Sequence, residues 1–105
     1  MNSKEMSKFK VKAEVVKAMA HPTRLFIMHK LSEGRHCVNE LHEMIEVDLS
    51  TVSKHLTVLR KAGIVIAAKE GTQVYYALRV PCIMNFMQCI ETLIKKNAED
   101  NLCHL

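Results

Sequence analysis

The stretch Asp48-Leu49-Ser50-Thr51-Val52-Ser53-Lys54-His55-Leu56-Thr57-Val58-Leu59-Arg60-Lys61-Ala62-Gly63 decides the fold. Val52, Leu56 and Leu59 recur at helical spacing and face one way. Asp48 is an N-cap residue type, and Gly63 stops the run. The opposite face reads Ser50, Thr51, Ser53, Lys54, Thr57, Arg60 and Lys61, small hydroxyls first and cations last. On an isolated helix such a face is ordinarily a solvated one. Its neighbours change that reading.

Upstream, Val38, Leu41 and Ile45 mark a short helix with Glu40 and Glu43 on its wet side, and Glu46-Val47-Asp48 interrupts it. Downstream the period changes. Ile64-Val65-Ile66, the turn Glu70-Gly71-Thr72 and Val74-Tyr75-Tyr76 predict a β-hairpin bearing Lys69, Thr72 and Gln73. Two helices about a tight turn, then a hairpin, make a helix-turn-helix with a wing. Hydroxyls near the start of the second helix suit base edges in the major groove. The helix N-terminus itself favours a phosphate. Arg60 and Lys61 suit the phosphate backbone, and the negative end of the helix dipole stabilises their charge.

Further out, Met6, Phe9, Ala13, Val16 and Ala20 form one face of a first helix. His21-Pro22-Thr23 breaks it, with Pro22 in the first turn of a second helix carrying Leu25, Phe26, Met28 and Leu31 up to Gly34. Pro81 is expected to begin a last helix with two apolar rows: Cys82, Phe86, Cys89 and Leu93, then Ile83, Met87, Ile90 and Ile94. So wide an apolar arc needs cover on more than one side. A chain of 105 residues has no second layer to offer, and it buries only about 65% of its unfolded surface. A homodimer through the first and last helices follows. The fold class expected is mainly α with a β-hairpin wing, in a single domain over 1–105 with a frayed tail from about 99.

Charge is distributed in the same sense. The net charge of +4 is modest, but residues 49–79 carry five Lys or Arg against one acid, while residues 31–48 carry one against five. A polyanion is attracted to a patch, not to a sum. The longest apolar run, residues 64–68, falls far short of the ~20 residues that span a bilayer. The N-terminus has no signal-peptide core. A cytoplasmic protein without membrane association is expected. With three glycines and no phosphate loop, paired acids or Ser-His-Asp order, an enzyme is not expected.

The motifs now on the page resemble those of the ArsR/SmtB family of winged-helix repressors. Lys17-Ala18-Met19-Ala20-His21-Pro22-Thr23-Arg24 is similar to the family's entry motif, and Cys37-Val38-Asn39-Glu40-Leu41 to its next one. Residues 49–65 are similar to the recognition-helix signature and residues 71–78 to the wing. The resemblance implies a homodimeric cytoplasmic repressor of double-stranded operator DNA, released by an inducer. It assigns DNA reading to Ser50, Thr51, Ser53, Lys54 and His55, and wing contacts to Thr72, Gln73 and Tyr75. His55, beside Leu56, stands equally well as a cap on the core.

The cysteines are the candidate inducer site. Cys37, Cys82, Cys89 and Cys103 form no C-x-x-C. The family's arsenite pattern would need a second thiol beside Cys37, where Asn39 and His42 stand. Its last-helix zinc positions match Val80, Cys82, Leu93 and Lys96, mostly non-ligands. Cys37, Cys82 and Cys89 remain, and thiolates without histidine suit As(III) or a soft metal ion as inducer. No cofactor is expected to be needed for DNA binding itself. Cys82 and Cys89 lie about 10.5 Å apart along one helix face, so one ion cannot join them within a chain. Antiparallel pairing of last helices would bring Cys82 towards the partner's Cys89. Thiol-redox or persulfide chemistry, and inert packing in a constitutive DNA-binding module, are the alternatives. Cys103-His104 reads as part of the tail. His21, His29 and His36 read as surface or capping residues, and the methionines as core.

Overall fold

The computed structural model describes the backbone of residues 1–104 and the side chains of residues 1–101. The elements are α1 (Ser3–Met19), α2 (Pro22–Glu33), β1 (His36–Cys37), α3 (Val38–Met44), α4 (Leu49–Lys61), β2 (Val65–Glu70), β3 (Gln73–Leu78) and α5 (Ile83–His104). The sheet is antiparallel in the order β1-β3-β2, with His36 opposite Tyr76 and Val65 opposite Leu78. The β2–β3 hairpin is the expected one. Strand β1 was not foreseen: two residues carry no periodicity, and only pairing with β3 makes them a strand.

The core lies where α2, α3 and α4 meet the base of the hairpin. Ile27, Met28, Leu41, Val52, Leu56 and Leu59 are wholly buried, and Val65 nearly so. All the buried side chains described are apolar. The end of α4 feeds this core directly. Gly63 takes φ +78°, its N–H donates to the Arg60 carbonyl, and the Ile64 N–H donates to the Leu59 carbonyl at 3.0 Å. This is a Schellman motif. It reverses the chain so that Ile64 and Leu59 are both buried and β2 can begin.

Beyond its base the hairpin stands clear. In β2 only Val65 is buried and the next five residues are exposed. Gly71, at φ +65°, and Thr72 make the two-residue turn between Glu70 and Gln73. Glycine first with a positive φ, followed by a residue at negative φ, is the arrangement a tight type II′ hairpin requires.

The two long helices are barely covered. Residues 1–14 are exposed throughout, and the α1 side chains packed on the core are Val15, Ala18 and Met19. In α5, Ile83, Met84 and Met87 pack half-buried against the core, and Ile90 further along is half-buried. Phe86, Cys89 and Leu93 on the helix are exposed, as is Cys82 in the turn before it. Pro81 does not begin the helix: Val80, Pro81 and Cys82 form a tight turn of i to i+3 bonds, and α5 follows from Ile83. The helix is described as far as His104. The side chains of Cys103 and His104 lie outside the described residues. The radius of gyration is 16.5 Å, against about 13 Å for a compact chain of this length.

Candidate nucleic-acid interface

Asp48 sets the start of α4. Its carboxylate accepts the Thr51 N–H at 2.9 Å and the Ser50 hydroxyl at 3.3 Å. Hydrogen bonding by Thr51, from side chain and backbone, holds the Asp48 carboxyl below its ordinary range. A carboxylate therefore already occupies the helix N-terminus, which the sequence reading had offered to a phosphate. Ser53 and Lys54 project next, exposed. Thr57 is half-buried and spends its hydroxyl on the Ser53 carbonyl at 2.9 Å. Arg60 and Lys61 stand exposed at the far end. Ser50, Ser53, Lys54, Arg60 and Lys61 thus share an open surface, with Thr51 half-buried at its edge.

His55 is not on that surface. It is half-buried, and its Nδ1 accepts from Arg24 Nε at 3.2 Å. Arg24 Nη1 donates in turn to the Ala18 carbonyl at 2.9 Å. The His21 ring lies 4.3 Å from that of His55. Burial, then His21 and Arg24, push the His55 imidazole below its ordinary value. The signal was present in the sequence: His55 follows Val52 by three and precedes Leu59 by four, which puts it at the border of the buried face. His21 caps α2, its Nδ1 accepting the Thr23 N–H at 3.0 Å.

On the wing, Thr72 is exposed and Gln73 half-buried. Tyr75 is covered: the Arg35 guanidinium lies 4.4 Å above its ring and pairs with Glu70. Arg35 had no motif to recommend it. It enters the wing because β1, the next two residues, pairs with β3 and sets the loop before it beside Tyr75 and Glu70.

The candidate inducer thiols are dispersed. Cys37 is buried at the start of α3, where Glu40 Oε1 accepts its N–H at 2.9 Å. That bond, first among several causes, lowers the Glu40 pKa. Cys82 and Cys89 are exposed. Cys82 sits at the mouth of an apolar cavity of about 300 Å³ with Val15, Ile64, Val80 and Ile83. Among the described residues no three Cys, His, Asp or Glu side chains converge as metal ligands. A three-thiolate site of Cys37, Cys82 and Cys89 is not assembled within one chain. No described helix is long and apolar enough to cross a membrane.

Comparison with known proteins accounts for this geometry. The model of the bacterial regulatory protein family arsR matches residues 21–67. An uncharacterized HTH-type transcriptional regulator of Methanocaldococcus jannaschii is 37% identical over 89 residues, 84% of this chain and all of that one. The transcriptional activator HlyU of Vibrio cholerae is 42% identical over 79 residues, 74% of this chain and 73% of that one. A solved structure of reduced HlyU superposes with a TM-score of 0.72 at 36% identity, over 85% of this chain and 95% of that one. The homodimeric winged helix-turn-helix DNA-binding domain Mb0332 of Mycobacterium bovis gives a TM-score of 0.80 at 25% identity, over 95% and 93%. The chain belongs to the ArsR family, and it is a winged helix-turn-helix DNA-binding transcriptional regulator, not an enzyme.

Proposed function

We propose that the protein is a cytoplasmic, homodimeric repressor that binds operator DNA through α4 and the wing and is released by a thiophilic inducer. The observation that carries the DNA half is the open face of Ser50, Ser53, Lys54, Arg60 and Lys61 beside a hairpin exposed to its tip. Ser53 and Lys54 reach base edges, Arg60 and Lys61 neutralise phosphates, and Thr72 and Gln73 enter the flanking groove. The dimer half rests on area. The chain exposes 7682 Å², against about 6,000 Å² for a compact 12 kDa monomer. The surplus is of the order that each partner buries in an obligate dimer. The homodimeric state of the Mycobacterium bovis domain supports the same reading.

The thiols that respond are Cys82, in the turn before α5, and Cys89, on the open row of α5; both are exposed. Among the described residues no trio of donors converges within one chain. An As(III)-like or soft-metal inducer is therefore bound by thiols of both subunits, Cys82 of one near Cys89 of the other. A second reading, thiol oxidation or persulfide formation, draws support from HlyU, a similar protein whose structure is described as reduced.

The test is release of DNA, followed by fluorescence anisotropy, on adding arsenite, diamide or polysulfide to the wild type, Cys82→Ser and Cys89→Ser. Mass spectrometry would map any disulfide among all four cysteines. Loss of response in either variant with unchanged DNA affinity supports thiol sensing there. A variant lacking Cys37, Cys82 and Cys89 that still released DNA would end that reading.

A further inference from the structure

Three helices meet at one guanidinium. Arg24, in α2, donates Nη1 to the Ala18 carbonyl at the end of α1 and Nε to His55 Nδ1 in the middle of α4. His55 also lies against the ring of His21, the residue that caps α2, at 4.3 Å and tilted 40°. Both imidazoles accept at Nδ1, His21 from the Thr23 N–H and His55 from Arg24. An imidazole that accepts at Nδ1 is neutral, with its proton on Nε2. Arginine does not give up its proton in a protein. A proton added to His55 Nδ1 therefore puts N–H against N–H and cation against cation.

We propose that His55 is a positioning residue for DNA binding: neutral, it is the acceptor by which Arg24 fastens the recognition helix to α2 and the end of α1, and protonation at Nδ1 undoes the fastening. The proposal rests on the reading of α4 as the DNA-reading helix. The surroundings offer a protonated His55 no relief. From α2 it faces His21 and Arg24, and from α1 the fastening receives only the Ala18 carbonyl. Glu14 and Lys17 of α1 and Lys61 of α4 line the groove beside Arg24. Among the described residues Arg24 makes no ion pair, with Glu14 or any other carboxylate. Desolvation acts in the same direction and favours the neutral ring.

The sign of the pH dependence separates this role from a contact. A histidine on a phosphate binds DNA more tightly once protonated. A histidine that must stay neutral to hold the helix binds it less tightly.

The probe is a duplex enriched from a random pool by the wild-type protein near pH 8, its affinity then followed by anisotropy down to about pH 5.5 at constant salt. His55→Asn keeps an acceptor oxygen close to the Nδ1 position and does not titrate, so it retains affinity near pH 8. On acidification the wild type loses several-fold more affinity than His55→Asn, and its curve steepens towards the lowest pH. His55→Ala is weaker than both near pH 8, with circular dichroism checking that it is folded. In the absence of DNA, side-chain nitrogen NMR shows His55 neutral and protonated at Nε2, titrating below the ordinary histidine value. Identical pH profiles for the wild type and His55→Asn overturn the proposal. So does affinity that rises on acidification in the wild type alone, or His55→Asn as weak as His55→Ala. Failure to enrich any duplex overturns the DNA reading instead, and the NMR measurement still decides whether the fastening exists.

Discussion

Asp48 and Arg60 stand at opposite ends of α4, and their chemistry separates structure from recognition. Asp48 is spent on its own helix, bonded to Thr51 and Ser50. Its carboxyl is held below the ordinary range, so the folded state binds fewer protons there than the unfolded one. Its contribution is complete above the unfolded value of about 4 and is lost as pH falls through the folded one. Asp48→Ala should therefore melt lower than the wild type at neutral pH, and the gap should close as pH falls through the folded value. A gap independent of pH would show that the cap does not depend on the charge. Among the described residues Arg60 makes no such bond, and the proposed function gives it a phosphate. Arg60→Ala should weaken DNA binding across all sequences and reduce the salt slope by about one unit. Ser53→Ala should alter sequence preference instead. Unchanged affinity and slope in Arg60→Ala would displace α4 from the interface.

At the scale of elements, the sequence was legible wherever a period or a cap was strong. The buried row Val52, Leu56 and Leu59, the Asp48 cap and the Gly71 turn all stand where spacing placed them. What was illegible depended on pairing across the chain. His36 and Cys37 form a strand only because Tyr75 and Tyr76 lie opposite, and that pairing brings Arg35 over the wing. His55 was the border case, with neighbours on the inward face and a motif that pointed outward. The junction of α4 and β2 offers a clean test. Gly63 sits at φ +78°, and a Cβ there would meet Arg79 Nη1 at 3.1 Å. The arginine end can move, but the left-handed backbone cannot be relieved. Gly63→Ala should cost about 1 kcal/mol and lower the melting temperature by about 5 °C. An unchanged melting temperature would mean that the Schellman turn tolerates a side chain.

For the whole molecule the decisive fact is surface without cover. Phe9, Val16, Phe86, Leu93 and Ile94 are large, apolar and roughly half exposed. They lie on the two helices that carry the chain beyond its compact radius. Sequence periodicity asked for cover on more than one side of α5, and the single chain supplies it on one side only, over Ile83, Met84 and Met87. Ile90 is half-buried within the single chain, whereas Phe86 is 45% and Leu93 56% exposed. Lysine at these sites should therefore act differently. Phe86→Lys and Leu93→Lys should leave the single chain folded and move sedimentation from dimer to monomer, since the charge is desolvated only when a second copy covers it. Ile90→Lys should lower thermal stability as well, because it also disturbs packing within the chain. DNA affinity should fall with dimerisation in the first two, as two reading heads one helical turn apart become two independent weak binders. A wild type that sediments as a monomer at micromolar concentration would leave the apolar faces of α1 and α5 needing a different occupant.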